Sequence, residues 1–345
     1  MSNVHPTAII DASAIIHDDC EIGPSCCIGP NVTIGEGTVL HNHVTVPSNT
    51  TIGCGNKIYP FSVIGGDPQD KKFSGETTTL EIGDNNEIRE HVTIHRGTEN
   101  GGGVTTIGDN NLLMVASHVA HDCILGSDLV IANQVMLAGH ITVEDCATIG
   151  GGAGINQFAR IGKCAYVGGL ARITRDVPPF MIVEGTPAEV RAVNIVAMSR
   201  RGYTELHIHA MKEAHKRLFR DNGGALSQQM DELLQEFGEL PPIQHLCDAL
   251  MASQLGFTGV QTKKLNSSTR YSSSSPNRYC SNSSSSCSAS TSSSTWDSSS
   301  SSSPSSRSGS SFTFAGSSSI LPWSSFSSLL SSHSSMHAVF GCSIK

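Results

Sequence analysis

The chain has no surplus of basic residues. Its 22 Lys and Arg face 30 Asp and Glu, a formal net charge of -8, which excludes the positive footprint needed for nucleic acid or an anionic membrane surface. Any anionic ligand must therefore be held by local Lys and Arg. The sequence also lacks an uninterrupted apolar run of about 18 residues, so no membrane-spanning helix is expected. Its first residues, Met1 to Thr7 (MSNVHPT), have neither the basic nor the apolar region of a secretory signal, and a cytoplasmic location is expected. The 11 cysteines, an odd number, contain no CxxC pair and no Cys/His metal spacing, and Cys26 and Cys27 are adjacent. Reduced thiols are the simpler reading, and nothing calls for a cofactor.

What the sequence has is a repeat. Aliphatic residues recur every sixth position from Val4 through Ile10, Ile16, Ile22, Ile28, Ile34, Leu40, Val46, Ile52 and Ile58 to Ile64. The phase returns at Ile82, Ile88 and Ile94, then continues one residue out of step from Ile107 to Ile173. Neither a helix of period 3.6 nor a strand of period 2 keeps such a residue on one face for so long. A coil of short strands does, with three hexads closing a triangular turn of about 18 residues. A second inward position, four residues after each aliphatic, is usually small, as at Ala8, Ala14, Cys20, Cys26, Ala147, Ala153 and Ala159. Gly often follows the aliphatic directly, as at Gly23, Gly29, Gly150 and Gly162, and is expected there for a sharp bend. The periodicity does not give the hand of the coil.

Two interruptions break the repeat, Gly65 to Leu80 and His95 to Thr106. Insertions in a solenoid fall at its surface, either as passive loops or as binding loops. After Val183 the repeat ends. Helices are predicted over Pro187–Arg201, Thr204–Arg220, Leu226–Phe237 and Ile243–Leu255, from their periodicity and from the Gly and Pro stops between them. They form a small cap over the open sheet edge of the last coil. From about Asn266 roughly half the residues are Ser, a composition too poor in apolar residues to fold. The expected organisation is a parallel β-helix over 1–185, an α-helical region over 186–260 and a low-complexity tail over 261–345.

Chemistry on such a prism sits where polar side chains converge on its flanks. His118, His121 and His140 are close in coil geometry, because a turn of about 18 residues places His121 beneath Gly139 and Asp122 beneath His140. An imidazole beside a carboxylate suits a general base, and the Gly139 amide suits an oxyanion donor. Three converging histidines equally suit a zinc site of the kind seen in gamma-class carbonic anhydrases. A purely structural scaffold would show flat Thr ladders, which are missing.

Several segments carry a more specific resemblance: IGGDPQDKKFSGE from Ile64, IREHVTIHRGT from Ile88, DNNLLMVASHVAHDC from Asp109, LAGHITVED from Leu137 and MSRRGYT from Met198. Over roughly residues 1 to 260 the chain resembles the acyl-ACP–UDP-N-acetylglucosamine O-acyltransferases of Gram-negative bacteria. The resemblance implies a left-handed β-helix, a homotrimer and transfer of a 3-hydroxyacyl group from acyl carrier protein to UDP-N-acetylglucosamine, the first step of lipid A synthesis. It implies His121 as the base, Asp122 as its support and Gly139 as the oxyanion donor. Asp70, Lys72, His118, His140 and Gln157 correspond to sugar-nucleotide or acyl contacts, and Asn194 and Arg200 to positions near the phosphates and the carrier-protein arm. Gly169 corresponds to the position that limits acyl length. One departure is Asn156, where many relatives carry His before Gln-Phe. Another is the Ser-rich tail, which has no counterpart in the family.

Overall fold

The computed structural model describes residues 2–221 and 224–254. The Ser-rich tail and the last residue of the fourth predicted helix lie outside them. The hexads fold as strands of mostly two residues, such as Glu21–Ile22 and Cys27–Ile28, with the aliphatic residue inward and its predecessor outward. Ile22, Ile28 and Ile34 are 2%, 2% and 0% exposed, each such burial contributing roughly 1.5–3 kcal/mol. The strands form three faces of 11, 9 and 8 strands. The first face starts at Asn3–Val4, the second at Ile9–Ile10 and the third at Ile15–Ile16. Stacking is parallel, with Ile22 level with Leu40 and Ile10 level with Ile28.

Partners are 18 residues apart where the repeat is unbroken, and 30 and 25 apart across the two interruptions. Both interruptions leave from the same corner. Val63–Gly66 and Thr93–His95 belong to the second face, and the chain rejoins the third face at Thr79–Ile82 and Val104–Ile107.

The glycines after the aliphatics serve a different purpose from the one the sequence suggested. The tight bend falls two residues later, on residues with positive φ such as Asp19, Ser25, Asn31 and His43, types that tolerate this conformation with help from short polar side chains. Gly29 is needed for space, because a Cβ there would stand 1.7 Å from the Pro47 carbonyl oxygen. The small inward positions are also not uniformly apolar. Asn56, Asn86 and Asn111 stack inside the prism, with Asn86 Nδ2 donating to Asn56 Oδ1 at 3.0 Å and Asn111 Nδ2 to the Gly126 carbonyl at 3.0 Å. Their hydrogen bonds make this burial tolerable.

The predicted helix over Pro187–Arg201 is corrected to a hairpin followed by a short helix. Met181–Glu184 pairs antiparallel with Glu189–Val193 and closes the open edge of the first face. Val190 and Val193 favour the extended form, and covering that edge outweighs helical periodicity. Helix α1 spans only Ile195–Arg200 and is capped by Asn194, whose Oδ1 accepts from the Ala197 amide at 3.2 Å. Helices α2 (Glu205–His215, continued by a π-turn over Lys216–Arg220), α3 (Leu226–Phe237) and α4 (Pro241–Gln254) follow close to the predicted spans. Met211, Leu218, Met230, Leu233 and Leu246 bury together against Cys164, Phe180 and Met198. The helices thus cover the corner between the third and first faces.

Candidate functional site

The corner between the second and third faces gathers His121, Asp122 and His140. Asp122, His140 and Phe158 occupy its successive bend positions, with φ of 60°, 62° and 66°. His121 is 6% and Asp122 5% exposed. His121 Nδ1 lies 2.7 Å from Asp122 Oδ2. A carboxylate only accepts, so Nδ1 carries the proton and Nε2 presents its lone pair. Asp122 is held on its other sides by the Thr98 amide to Oδ1 and the Thr98 hydroxyl to Oδ2, both at 2.7 Å, while its own amide donates to Thr105 Oγ1 at 2.8 Å.

Gly139 lies against the imidazole, where an added Cβ would stand 2.7 Å from Cε1 and 3.0 Å from Nε2 of His121. A side chain at 139 would therefore displace the ring.

Three further histidines, His140, His118 and His95, stand close enough to His121 for their charges to interact. His140 stacks on Phe158 with centroids 4.6 Å apart and meets His121 edge-on at 5.2 Å. Burial holds its pKa below the ordinary value, against the opposing charge of Asp122. His118 is likewise lowered by burial and then by His121, and its Nδ1 lies 2.7 Å from Thr93 Oγ1. His95, edge-on to His118 at 4.8 Å, is pushed down to about 4 by burial and by the neighbouring imidazoles.

The sequence reading missed His95, Arg96, Thr98 and Gly101, all in or beside the second interruption, and this segment is not a passive loop. Thr98 grips Asp122, and Gly101 packs so closely on that carboxylate that a Cβ would stand 2.0 Å from Cγ. Arg96, 4% exposed, ties the two interruptions together by donating to the Gly65 carbonyl at 2.7 Å, to Ser48 Oγ at 3.1 Å and to Asp67. The available signal was an Arg following a His directly at the end of a strand.

The remaining predicted residues are distributed unevenly. Asp70 and Lys72, on the first interruption, lie close enough for their charges to act on His140, and the Lys72 amide donates to Asp70 Oδ1 at 3.1 Å. Gln157 precedes Phe158 on the same corner and is exposed. Gly169 follows the first-face strand Tyr166–Val167, so it stands on a different corner. Asn194 and Arg200 belong to the cap over the third corner. The Asn194 side chain is committed to helix capping and to the Cys164 carbonyl at 2.9 Å, whereas Arg200 is exposed. One chain thus places its predicted site residues on three corners.

His121, Asp122 and His140 also offer ligand atoms within 4.8 Å of one another. Asp122 takes the place in this cluster that His118 was expected to fill. The Nδ1 to Oδ2 contact at 2.7 Å makes the pair a hydrogen-bonded dyad and leaves Nε2 as the one nitrogen of His121 open to a substrate proton or to an ion.

A triangular stack of hexads with a capped end defines the class: the hexapeptide-repeat transferases, whose six-repeat model matches residues 2–35 and 13–48. A second family model, UDP-N-acetylglucosamine O-acyltransferase domain 2, matches residues 176–258. The acyl-[acyl-carrier-protein]–UDP-N-acetylglucosamine O-acyltransferase of Sinorhizobium fredii is 44% identical over 251 residues, 73% of this chain and 93% of the relative. The enzyme of that name from Gloeothece citriformis is 48% identical over 72% of this chain and 90% of its own length. A solved structure of the enzyme from Acinetobacter baumannii has a TM-score of 0.70 at 45% identity and covers 72% of this chain and 96% of its own. The Arabidopsis UDP-N-acetylglucosamine acyltransferase has a TM-score of 0.68 at 32% identity, over 75% of this chain and all of its own. The chain belongs to the acyl-ACP–UDP-N-acetylglucosamine O-acyltransferase family, and its fold is the left-handed parallel β-helix with a helical C-terminal part.

Proposed function

We propose that the protein transfers an (R)-3-hydroxyacyl group from acyl carrier protein to the 3-hydroxyl of UDP-N-acetylglucosamine, the first step of lipid A synthesis, with His121 as general base. The observation that carries this is the His121–Asp122 dyad, oriented by Thr98 and lying against Gly139. His121 Nε2 takes the proton of the sugar hydroxyl as its oxygen attacks the thioester carbonyl. The Gly139 amide receives the developing oxyanion, and the carrier thiolate leaves with the proton from the imidazolium. His118, His140 and Gln157 line the same corner for the sugar, with Asp70 and Lys72 above it from the first interruption. Arg200 serves the acidic carrier or the pyrophosphate, while Asn194 acts through the cap.

The three-corner distribution supports a homotrimer. Around a threefold axis, the His121 corner of one subunit faces a different corner of its neighbour, so Gly169 and the cap of one chain complete the groove of another. Among the described residues no helix is long and apolar enough to cross a membrane, which fits work beside a cytoplasmic carrier protein.

An assay with UDP-N-acetylglucosamine and a panel of 3-hydroxyacyl carrier proteins tests the reading. Transfer should be trimer-dependent and should fall at least about a hundredfold in His121→Ala. Transfer to glucosamine nitrogen instead, full turnover by the variant, or activity from a monomer counts against it. Metal analysis of the active protein addresses the zinc alternative directly.

A further inference from the structure

At the capped end of the prism, away from the dyad, lies a cavity of about 590 Å³. Its floor is the last inward row of the coil, Ile173, Val177 and Val183, and its far wall is Val190 of the hairpin and Phe219 of the π-turn. At its edge stand Arg172, outward on the second face, and Arg175, both exposed. Among the described residues neither guanidinium has an ion-pair partner. Two carboxylates also line the cavity, each with a partner of its own: Asp176 Oδ1 accepts from the Arg160 amide at 2.9 Å, and Glu189 pairs with Arg191 at 3.4 Å. The cavity shares no residue with the His121 corner.

We infer that this cavity binds a single-chain anionic amphiphile, with its hydrocarbon chain against Val177, Val183, Val190 and Phe219 and its carboxylate or phosphate between Arg172 and Arg175. The volume suits a ligand of that size. An apolar interior with cations confined to the rim matches a long chain with one charged end. A nucleotide would need polar partners for its base and sugar, whereas Ile173, Val177, Val183, Val190 and Phe219 offer only carbon. Because the hairpin and the π-turn contribute to the walls, an occupant also fastens the cap to the last coil.

The test is calorimetric titration of the full chain with dodecanoate and with dodecyl phosphate below their micellar concentrations, with dodecyltrimethylammonium as the cationic counterpart. Saturable binding of one anion per chain is expected, and none of the cation. The double variant Arg172→Ala/Arg175→Ala should bind at least about tenfold more weakly, the scale of losing charge-assisted hydrogen bonds. Ala188→Trp should fill the cavity and abolish binding, with acyl transfer unchanged in both variants. If only one head group binds, it identifies the source as free fatty acid or as a lipid phosphate. Equal binding of the cation, wild-type affinity in the double variant, or competition with the hydroxyacyl carrier that Ala188→Trp leaves intact would overturn the assignment. If Ala188→Trp loses its circular dichroism signature, the double variant decides.

Discussion

The corner that carries the dyad and the corner beneath the cap are built by the same six-residue rule, yet they do opposite work. At the first, the bend positions hold Asp122, His140 and Phe158; at the second they hold Asp128, Cys146, Cys164 and Phe180. The first is dressed by two loops that leave His118 and His140 half-buried. The second is roofed by helices around Glu144, which accepts from His245 at 2.6 Å, Arg160 Nε at 2.6 Å and the Lys163 amide at 2.8 Å. Burial alone would raise the pKa of Glu144, but His245 and Arg160 hold it down to about 2. The two corners therefore differ by what the insertions and the cap bring to them, not by the coil itself.

The largest effect that would sharpen this contrast is expected for Gly139→Ala. Its Cβ would meet the His121 ring, so transfer should fall by on the order of a hundredfold with the thermal midpoint nearly unchanged. A fall in stability with normal turnover would show that Gly139 matters for packing alone. Next, Glu144→Ala should leave turnover near normal at low temperature but cost about 2 kcal/mol, a drop in midpoint of roughly 4–8 °C. Because the folded-state pKa of Glu144 is depressed, its contribution is present above the unfolded value of 4.5 and is lost as pH falls toward about 2. The variant's acid-unfolding curve should therefore be flatter in that range, and an identical curve would separate Glu144 from cap docking.

His95 makes the corresponding test on the reactive corner. Its pKa is lowered from 6.5 to about 4, so folding loses stability as pH falls between those values, when the unfolded chain takes a proton that the folded chain resists. Replacing it in His95→Phe should remove about 1 to 2 kcal/mol of that acid sensitivity, measured as the pH dependence of the denaturant midpoint. The smallest effect belongs to Gly169→Met. A Cβ at 169 would come within 3.3 Å of the Gly151 carbonyl oxygen, a contact eased by a shift of a few tenths of an ångström. The protein should fold, and its preference should move toward shorter acyl chains by about tenfold. An unchanged preference would detach this corner from the acyl groove.

Much of this architecture was legible because the period of six is a property of consecutive residues. The inward aliphatics from Ile22 to Ile173 and the pairing of His121 with Gly139 follow from counting alone. What escaped depended on contacts without a period. Thr98 reaches Asp122 across 24 residues, and Arg96 reaches Ser48 across 48. The hairpin over Met181–Val193 forms because the last coil offers an unpaired edge, a demand that exists only once the prism has been built. Helices after Pro187 were expected to cover that edge, whereas Glu189–Val193 closes it by pairing directly with Met181–Glu184.

The strict level pairing of Ile22 with Leu40 has a consequence for redesign. Excising Gly23 to Leu40 would splice Ile22 to His41 at the same height on the same face, shortening the molecule by one storey while every later side chain keeps its orientation. Excising six residues instead would turn everything downstream through a third of a revolution and move the dyad to another side. Length is thus adjustable in whole storeys, and a library of truncations in steps of six should show viability recurring at every third member.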